Sequence, residues 1–338
     1  MDSDSSQADL PSENTAPTIE TLDLATAIRE RPLEHLGDVL RAAQLEVAKA
    51  IVGEERTVEL ILIALIARCH VLLEGPPGTG KTLLAQAIAR LLGARFRRVQ
   101  FTPDTSAAEL VGTIRERGTE KVFERGALFT NVLLADEINR TPPRTQAALL
   151  EAMQERSVTV QGETHRLESP FFVIATQNPH EHEGVFTLPE SQLDRFLFRI
   201  HLEYGTEEDD LAMLELPRRG VTPDVIGDVT SLLGERAVLL VQDAADAIEV
   251  PDEVARAAVR VVRRTRELPG VVLGGGPRAT IHVIAGAKAR AMLRGSSAAS
   301  LDDVFEVARD ALPHRIVGDA DPHEVTDRAI EETRRAFR

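Results

Sequence analysis

The segment EGPPGTGKTLLA, residues 74–85, constrains the fold of this chain more than any other stretch. It follows the apolar run HVLLEG, which is typical of a buried strand, and precedes a helical pattern. Two glycines, a lysine and a threonine stand in the spacing G-x-x-x-x-G-K-T, as Gly75, Gly80, Lys81 and Thr82. The chain has only four lysines, so a chance lysine in a Gly-rich turn is the weaker interpretation. The segment therefore predicts a strand, a phosphate-binding loop and a helix.

Each residue type in this loop has a physical role toward phosphates. Glycines let backbone N–H groups turn toward the anion, and the helix N-terminus adds a favourable field. We expect Lys81 to neutralise the β- and γ-phosphates of ATP and Thr82 to hold Mg²⁺. The predicted nucleotide contacts in this loop are Gly75, Pro76, Pro77, Gly78, Thr79, Gly80, Lys81, Thr82 and Leu83.

The segment VLLADEINR, residues 132–140, carries two adjacent carboxylates at the end of an apolar run. Carboxylates at the end of a buried strand are costly unless they have a partner. A metal ion beside the phosphate loop would be that partner, so Asp136 is predicted to orient Mg²⁺ through its water. Glu137 points elsewhere and is predicted to polarise the water that attacks the γ-phosphate. An ordinary charged strand end is the alternative.

The order of elements predicts an α/β fold. Two helices broken at Gly53 precede the first strand, and apolar strands then alternate with helices as far as residue 204. Continuous apolar strands of this kind are typical of a parallel sheet covered on both faces. Beyond Tyr204 the pattern becomes helical, with starts near Glu207, Pro251 and Pro277. We therefore expect a nucleotide-binding domain over residues 25–204 and a smaller all-α lid over 205–338.

Three segments depart from this alternation. Residues 112–128 form an insertion, and residues 157–168 alternate in a pattern that predicts a hairpin around Gln161 and Gly162. Residues 1–24 are rich in Ser, Asp and Glu and predict a disordered acidic tail.

Composition restricts the partners and the compartment. Acidic residues outnumber basic ones by 54 to 39, and the net charge of −15 disfavours nucleic acid. With Cys69 as the single cysteine, no disulfide can form within the chain, which is typical of a cytoplasmic protein. Cys69 is expected to be a packed core residue. The longest apolar run, LILIALIA, is too short to span a bilayer, so no stable membrane insertion is expected.

With GPPGTGKT, VLLADEINR, ATQNP and LPESQLDRF in order, residues 37–315 resemble AAA+ ATPases, most closely the MoxR family. The combination DEINRTPPRTQAALLEAMQE, FFVIATQNP and LPESQLDRFLF is specific to that family. The fold implied is an AAA+ phosphate-loop core with a parallel sheet between helices, followed by an all-α lid. Residues 112–128 and 157–168 match the helix-2 insert and the hairpin before sensor 1. TPDTSAAELVGT and GGGPRA depart from the usual family sequence, which leaves the partner surface of the insert open.

The resemblance also implies site residues. Asn178 matches the sensor-1 residue beside the attacking water. Arg195 matches the arginine finger that completes the ATP site of an adjacent subunit, with Arg140 and Arg144 as rivals. Arg278 in GPRAT matches the sensor-2 arginine that reaches the phosphates from the lid. Val52 and Gly53 in IVGEE match the segment against the adenine, although a plain helix break at Gly53 explains that segment equally well.

The function implied by the resemblance is a Mg²⁺-dependent ATPase, a homo-oligomeric and hexameric ring that remodels or activates client proteins. Such clients include proteins with a von Willebrand factor A domain. Two alternatives remain: a nucleotide-gated scaffold that hydrolyses ATP slowly, and a DNA-directed motor, which the charge disfavours.

Two weaker signals have no assigned role. The loop NPHEHEG offers His180 and His182 beside carboxylates, a set that could bind a metal or form a solvated polar loop. The helix after Pro251 carries a basic face, which is expected to be solvated or to lie between subunits. The arginines of that face are Arg256, Arg260, Arg263 and Arg264.

Overall fold

The structure is a computed structural model and describes residues 32–117, 120–179, 185–216, 218–219, 222–223 and 226–337. The predicted acidic tail and the His180/His182 loop lie outside these residues. Within them, no helix has both the length and the apolar composition needed to cross a bilayer.

A five-stranded parallel sheet forms the centre of the nucleotide-binding domain. Its strands are β1 (Val71–Glu74), β2 (Phe96–Gln100), β5 (Val132–Asp136), β8 (Phe172–Gln177) and β9 (Phe198–His201), in the spatial order β2-β5-β8-β1-β9. Because all five strands are parallel, their carboxyl ends meet at one edge of the sheet. The phosphate loop after β1 and the acidic pair at the end of β5 therefore lie on the same edge.

Side chains of each strand alternate between two hydrophobic cores. In β5, Val132 and Leu134 face one core, whereas Leu133 and Ala135 face the other. Both faces are covered by helices, so the strands are apolar throughout, and each fully buried leucine contributes roughly 1.5–3 kcal/mol. Asp136 continues the Val132–Leu134 series, which directs its side chain to the face that carries the helix after the phosphate loop.

Six helices belong to this domain. They are α1 (Pro32–Ala48), α2 (Glu55–Ile66), α3 (Lys81–Leu91), α4 (Ala107–Val111), α5 (Pro143–Glu155) and α6 (Glu190–Leu193). The two short ones, α4 and α6, were not predicted. The break between α1 and α2 falls at Gly53, whose φ of 80° is readily adopted only by glycine. Cys69 is a buried free thiol, as expected of a packed residue, and burial raises its pKa to about 11.

Both insertions contain antiparallel hairpins that contact each other. The first insertion contains β3 (Gly112–Arg117) and β4 (Glu120–Arg125), and the second, as predicted, pairs β6 (Ser157–Val160) with β7 (Glu163–Arg166). The ring of Phe123 stacks on the ring of His165, with centroids 3.8 Å apart and planes 8° apart. The stack ties the two hairpins together.

The region after β9 is mainly helical, as the sequence predicts. Its helices are α7 (Glu207–Glu215), α8 (Glu235–Asp246), α9 (Asp252–Thr265), α10 (Pro277–Leu293), α11 (Leu301–Ala311) and α12 (Pro322–Ala336). Two short ladders were not predicted: β10 (Arg218–Arg219) with β11 (Thr222–Pro223), and β12 (Val271–Leu273) with β13 (Val317–Gly318). The face of α9 with Val254 and Ala258 is buried, and Arg256, Arg260 and Arg263 are exposed on the other face.

Candidate active site

The phosphate loop adopts a compact turn that only its glycines permit. Gly78 and Gly80 have φ angles of 89° and 77°, and Gly80 is the N-cap of α3. A β-carbon on Gly75 would lie 2.5 Å from the carbonyl oxygen of Leu202, so glycine is required where β9 passes the loop. The loop residues from Pro77 to Leu83 line a groove of about 620 Å³.

Lys81 lies along this loop. Its Nζ donates to the carbonyl oxygens of Gly75 and Pro76 at 2.8 and 2.7 Å. Burial lowers the pKa of the Lys81 ammonium, and the nearby carboxylates of Asp136 and Glu137 oppose this effect. The cation is therefore held beside the two carboxylates at the floor of the groove.

Asp136 is buried and fully engaged by protein groups. Its Oδ1 accepts a hydrogen bond from Thr176 Oγ1 at 2.6 Å. Its Oδ2 accepts from Thr82 Oγ1 at 3.3 Å and from Arg98 Nη2 at 2.7 Å. The structure thus joins Asp136 to Thr82, as the sequence predicts. Arg98 also supplies a positive charge beside this carboxylate, a partner that the sequence did not predict.

Glu137 occupies a strained backbone position at the edge of the same groove. Its φ of 57° and ψ of 50° lie in the left-handed region, which costs a non-glycine residue about 1 kcal/mol or more. Its backbone N–H donates to Thr176 Oγ1 at 2.9 Å. The carboxylate Oε2 is 2.6 Å from Gln100 Nε2 and 3.0 Å from Arg140 Nε. The strain turns the Glu137 side chain away from that of Asp136, so the two carboxylates have separate partners.

Asn178 is buried and lines the groove together with Asp136 and Glu137. It follows β8, the strand between β5 and β1, so its position follows from the strand order. The structure therefore brings together the phosphate loop, the acidic pair and the predicted sensor-1 residue.

A second cavity of about 420 Å³ adjoins the phosphate loop. Val52 and Gly53, predicted from the resemblance to contact the adenine, are among the residues that line it. Helix α7 closes the cavity with Asp209 and Met213, and Tyr204 also lines it. Apolar and acidic side chains line this hollow together, and its position beside the phosphate loop suits the base of a nucleotide.

Arg195 and Arg278 lie together, away from the phosphate groove. Arg195 lines a separate groove of about 640 Å³ with residues of α5 and the β6–β7 hairpin, and its guanidinium donates to the carbonyl of Leu150. Arg278 Nη1 lies 3.1 Å from Asp194 Oδ2. Burial lowers the pKa of Arg195, and the positive charge of Arg278 adds to that effect. Within this chain, therefore, Arg278 lies beside the predicted arginine finger, and it is not among the residues that line the phosphate groove.

The two rival arginines have different surroundings. Arg140 is paired with Glu137 of its own chain, whereas Arg144 is exposed on α5. Neither position decides which arginine acts across a subunit boundary.

Sequence reasoning missed three polar residues around the groove. Arg98 and Gln100 are on β2, and their spacing of two predicts a shared face, a signal that could have been used. Glu74 ends β1 with a fully buried side chain, and its Oε2 lies 2.7 Å from Arg199 Nε and 3.3 Å from His201 Nδ1. It anchors the start of the phosphate loop to β9.

Comparisons with known proteins agree with this geometry. Residues 70–198 match the family model "ATPase family associated with various cellular activities (AAA)", and residues 263–333 match the AAA lid domain. Chaperone MoxR1 of Mycobacterium tuberculosis is 43% identical over 289 residues, covering 82% of this chain and 75% of the relative. Protein MoxR of Methylorubrum extorquens is 31% identical over 312 residues, covering 82% and 88%.

Solved structures show the same fold. The crystal structure of a protein from Cytophaga hutchinsonii superposes with a TM-score of 0.79 at 33% identity, covering 93% of this chain and 98% of that one. A minichromosome maintenance homologue from Methanopyrus kandleri has a TM-score of 0.59 at 20% identity, which concerns the fold alone. The predicted resemblance is confirmed, and the chain belongs to the MoxR family of AAA+ ATPases.

Proposed function

We propose that this protein is a Mg²⁺-dependent ATP hydrolase that works as a ring and remodels client proteins. The observation that carries the proposal is the single groove lined by the phosphate loop, Asp136, Glu137 and Asn178. A groove with a cation, two carboxylates in different settings and a buried amide suits in-line attack of water on a γ-phosphate.

The residue that ends β5 and a residue in the first turn of α3 together fit Mg²⁺. Thr82 and Asp136 offer hard oxygen ligands only 3.3 Å apart, which is the donor type that Mg²⁺ prefers. When bound, Mg²⁺ would neutralise charge on the phosphate oxygens. Lys81 binds the β- and γ-phosphates, Asn178 positions the attacking water, and Glu137 accepts its proton once the carboxylate is free of Gln100 and Arg140.

The position of Arg195 and Arg278 supports a ring. Neither arginine lines the phosphate groove of its own chain, a position that suits contact with phosphates bound by a second copy. In that arrangement Asp194 holds Arg278 beside Arg195, and both arginines stabilise the transition state of the adjacent subunit. We propose a hexamer, the state that the family resemblance implies, and a role for Arg278 in trans rather than within its own chain.

Client contact is proposed for the two hairpins. The β3–β4 and β6–β7 hairpins pack on each other through Phe123 and His165 and so form one projecting unit. A client of the von Willebrand factor A type is proposed from family membership. Deletion of residues 157–168 that left client remodelling intact would remove this role.

The catalytic proposal is tested with Glu137→Gln and with Lys81→Ala. We expect Glu137→Gln to bind fluorescent ATP with near wild-type affinity but to lose turnover, and Lys81→Ala to lose binding. Glu331→Gln, an exposed carboxylate on α12, is the matched control. Undiminished hydrolysis by Glu137→Gln would remove Glu137 from the mechanism.

The ring proposal is tested by mixing inactive variants. Lys81→Ala protomers lack a working phosphate site but keep Arg195, whereas Arg195→Ala protomers have the reverse defect. Each variant alone should be inactive, and the mixture should recover part of the wild-type turnover. Failure to recover activity, with mixed rings shown by co-purification of an untagged variant with a tagged one, would contradict action in trans.

A nucleotide-gated scaffold is the second candidate function. The contacts of Glu137 with Gln100 and Arg140 favour it, since they hold the carboxylate in a resting position. Steady-state turnover with and without a client separates the two functions. A scaffold would assemble with ATP yet show no client-stimulated turnover.

A further inference from the structure

A groove of about 760 Å³ lies between α9 and α12 of the lid, and we call it the lid groove. Its volume falls within the range of about 300–1,000 Å³ that is usual for ligand-binding clefts. Among the described residues, none lines both the lid groove and the phosphate groove or the cavity for the base. The lid groove is therefore a separate feature of the molecule.

Three arginines form a row along the lid groove. Arg256, Arg260 and Arg263 follow one another at intervals of four and three residues, so they lie on one face of α9 and span about 10 Å. All three are exposed, and none of them forms an ion pair with another described residue. The arginine row thus presents positive charge in a chain whose net charge is −15.

Most carboxylates of the lid groove are already paired. Arg264 Nη1 lies 3.1 Å from Glu267 Oε2, and Arg264 Nε pairs with Glu332. Arg328 also pairs with Glu332, at 3.1 Å. Asp252, in the first turn of α9, is the remaining carboxylate of the described lining. The arginine row therefore outweighs the unpaired carboxylates of the lid groove.

The rest of the lining combines apolar surface with one unsatisfied hydroxyl. Val259 is 44% exposed, and Ala255 lies one turn before it on α9. Thr333 of α12 is 1% exposed, yet its Oγ1 has no hydrogen-bond partner among the described residues. A buried hydroxyl without a partner is unfavourable, so a ligand that offers a carbonyl or N–H group there is favoured. These features together suit an acidic peptide that also carries apolar side chains.

The chain itself contains a segment of this chemistry. Residues 1–24 carry six carboxylates and no lysine or arginine. Apolar residues stand among the acids, as in ADLPSE and TIETLDL. The charge and the apolar content of this segment therefore complement the arginine row and Val259.

The length of the chain before α1 allows this segment to reach the lid groove. Helix α1 packs beside the lid, since a β-carbon on Gly37 would lie 3.2 Å from the carbonyl oxygen of Leu293 at the end of α10. Glu13 precedes Pro32 by 19 residues, which cover about 60–70 Å when extended. A compact region of about 130 residues, the size of the lid, has a radius of gyration of only about 14 Å. The segment is long enough to pass around the lid of its own chain.

We infer that residues 1–24 dock in the lid groove of their own chain. Their carboxylates pair with the arginine row, and their apolar side chains contact Val259. The bound segment closes the lid groove to other acidic peptides and so acts as an internal competitor for that surface. This interaction goes beyond the proposed ATPase function and does not depend on it.

A competition assay with a fluorescent peptide of residues 1–24 tests the inference. One full-length variant replaces the six acidic residues of the segment by their amides: Asp2→Asn, Asp4→Asn, Asp9→Asn, Glu13→Gln, Glu20→Gln and Asp23→Gln. We expect the peptide to bind this amidated variant at least about tenfold more tightly than the wild type, whose groove holds its own tethered segment. Fluorescence anisotropy measures the binding, which should weaken as salt screens the ion pairs.

Substitutions in the lid groove locate the binding site. In the amidated variant, Arg256→Gln, Arg260→Gln and Arg263→Gln together should weaken peptide binding at least about tenfold. The matched control makes the same change in net charge at three exposed lid arginines outside the groove: Arg236→Gln, Arg309→Gln and Arg335→Gln. The control should bind the peptide as tightly as the amidated variant does.

A dye on Ser6→Cys follows the segment within the intact chain. Cys69 is buried and its pKa is raised to about 11, so the new thiol is labelled selectively. We expect the anisotropy of the dye to fall when the arginine row is replaced by glutamine, and to stay unchanged with the control substitutions.

Three results would overturn the inference. One is equal peptide binding by the variant without the arginine row and by its control, and another is equal binding by the wild type and the amidated variant. The third is a DNA oligonucleotide of equal charge that binds the wild type more tightly than the peptide binds the amidated variant, which would assign the lid groove to nucleic acid. None of these measurements uses ATP, so their failure leaves the proposed ATPase function untouched.

Discussion

Replacement of Asp194 by alanine should destabilise the contact between the nucleotide-binding domain and the lid. Asp194 Oδ1 accepts from Arg315 Nε at 2.8 Å, and its Oδ2 lies 3.1 Å from Arg278 Nη1. The side chain of Arg315 is only 2% exposed. Burial lowers the pKa of Arg315 and the carboxylate of Asp194 opposes that effect, so Asp194→Ala would leave a buried cation without its counter-charge.

The magnitude follows from these contacts. Breaking a buried ion pair by removing one partner costs about 3–5 kcal/mol. Asp194 is 25% exposed and Arg315 keeps backbone acceptors such as the Phe196 carbonyl at 2.6 Å, which reduces the loss. The partly exposed pair with Arg278 adds less than about 1 kcal/mol. We expect a total loss of about 2–4 kcal/mol for Asp194→Ala, and about half of that for Asp194→Asn, which keeps an acceptor oxygen.

The assay is thermal unfolding followed by circular dichroism. With an unfolding entropy of about 2.1 cal/mol/K per residue, a chain of this size should lose about 3–6 °C of melting temperature. Asp327→Ala is the matched control, because the Arg309–Asp327 pair is 3.2 Å long and its side chains are 46% and 58% exposed. That pair should be worth less than about 1 kcal/mol. Equal shifts for Asp194→Ala and Asp327→Ala would refute the reasoning from burial.

Three further predictions concern acid stability, the phosphate loop and the hairpins. Burial is the main cause that lowers the pKa of three histidines: His70, His282 and His314. The pKa of His282 is about 3 in the folded protein, against about 6.5 for an exposed histidine. Below pH 6.5 the unfolded state therefore binds more protons than the folded state. The free energy of unfolding then falls as the pH falls, by up to about 1.4 kcal/mol per pH unit for each histidine. Urea unfolding at pH 7.5 and 5.5 measures this, and equal stability at both would contradict it. Gly75→Ala should weaken ATP binding more than tenfold, because its β-carbon would lie 2.5 Å from the Leu202 carbonyl, whereas Gly227→Ala has open space and should bind normally. Phe123→Ala should increase hydrogen exchange in β7 as well as in β4 if the stack on His165 couples the hairpins, and a change confined to β4 would show that it does not.

Many strands, helix ends and turns could be predicted because the sequence patterns that specify them are local. The apolar runs, the break at Gly53 and the hairpin around Gln161 and Gly162 each depend on residues that are neighbours in the chain. The two short ladders in the helical region escaped prediction, since strands of two or three residues carry almost no periodic pattern.

The contacts in the phosphate groove were likewise predicted only in part. Thr82 and Asp136 were both predicted to hold Mg²⁺ because an acidic strand end accompanies the phosphate loop, and in the structure their side chains lie 3.3 Å apart. The partners Arg98 and Gln100 were missed, because their contact with the acidic pair depends on which strand lies beside β5 and in which register. Neither fact is contained in the sequence of β2 alone.

The sequence by itself determined the phosphate loop, the acidic pair and the family, because these depend on consecutive residues whose spacing fixes backbone shape and chemistry. Only the tertiary structure decided that Arg278 lies beside Arg195 and Asp194, and that Arg98 compensates Asp136. Those pairings join side chains 84 and 38 positions apart in the chain. These pairings depend on how the lid packs and on the order of the strands. Contacts throughout the hydrophobic core determine the packing and the strand order, so no short segment of sequence specifies either of them.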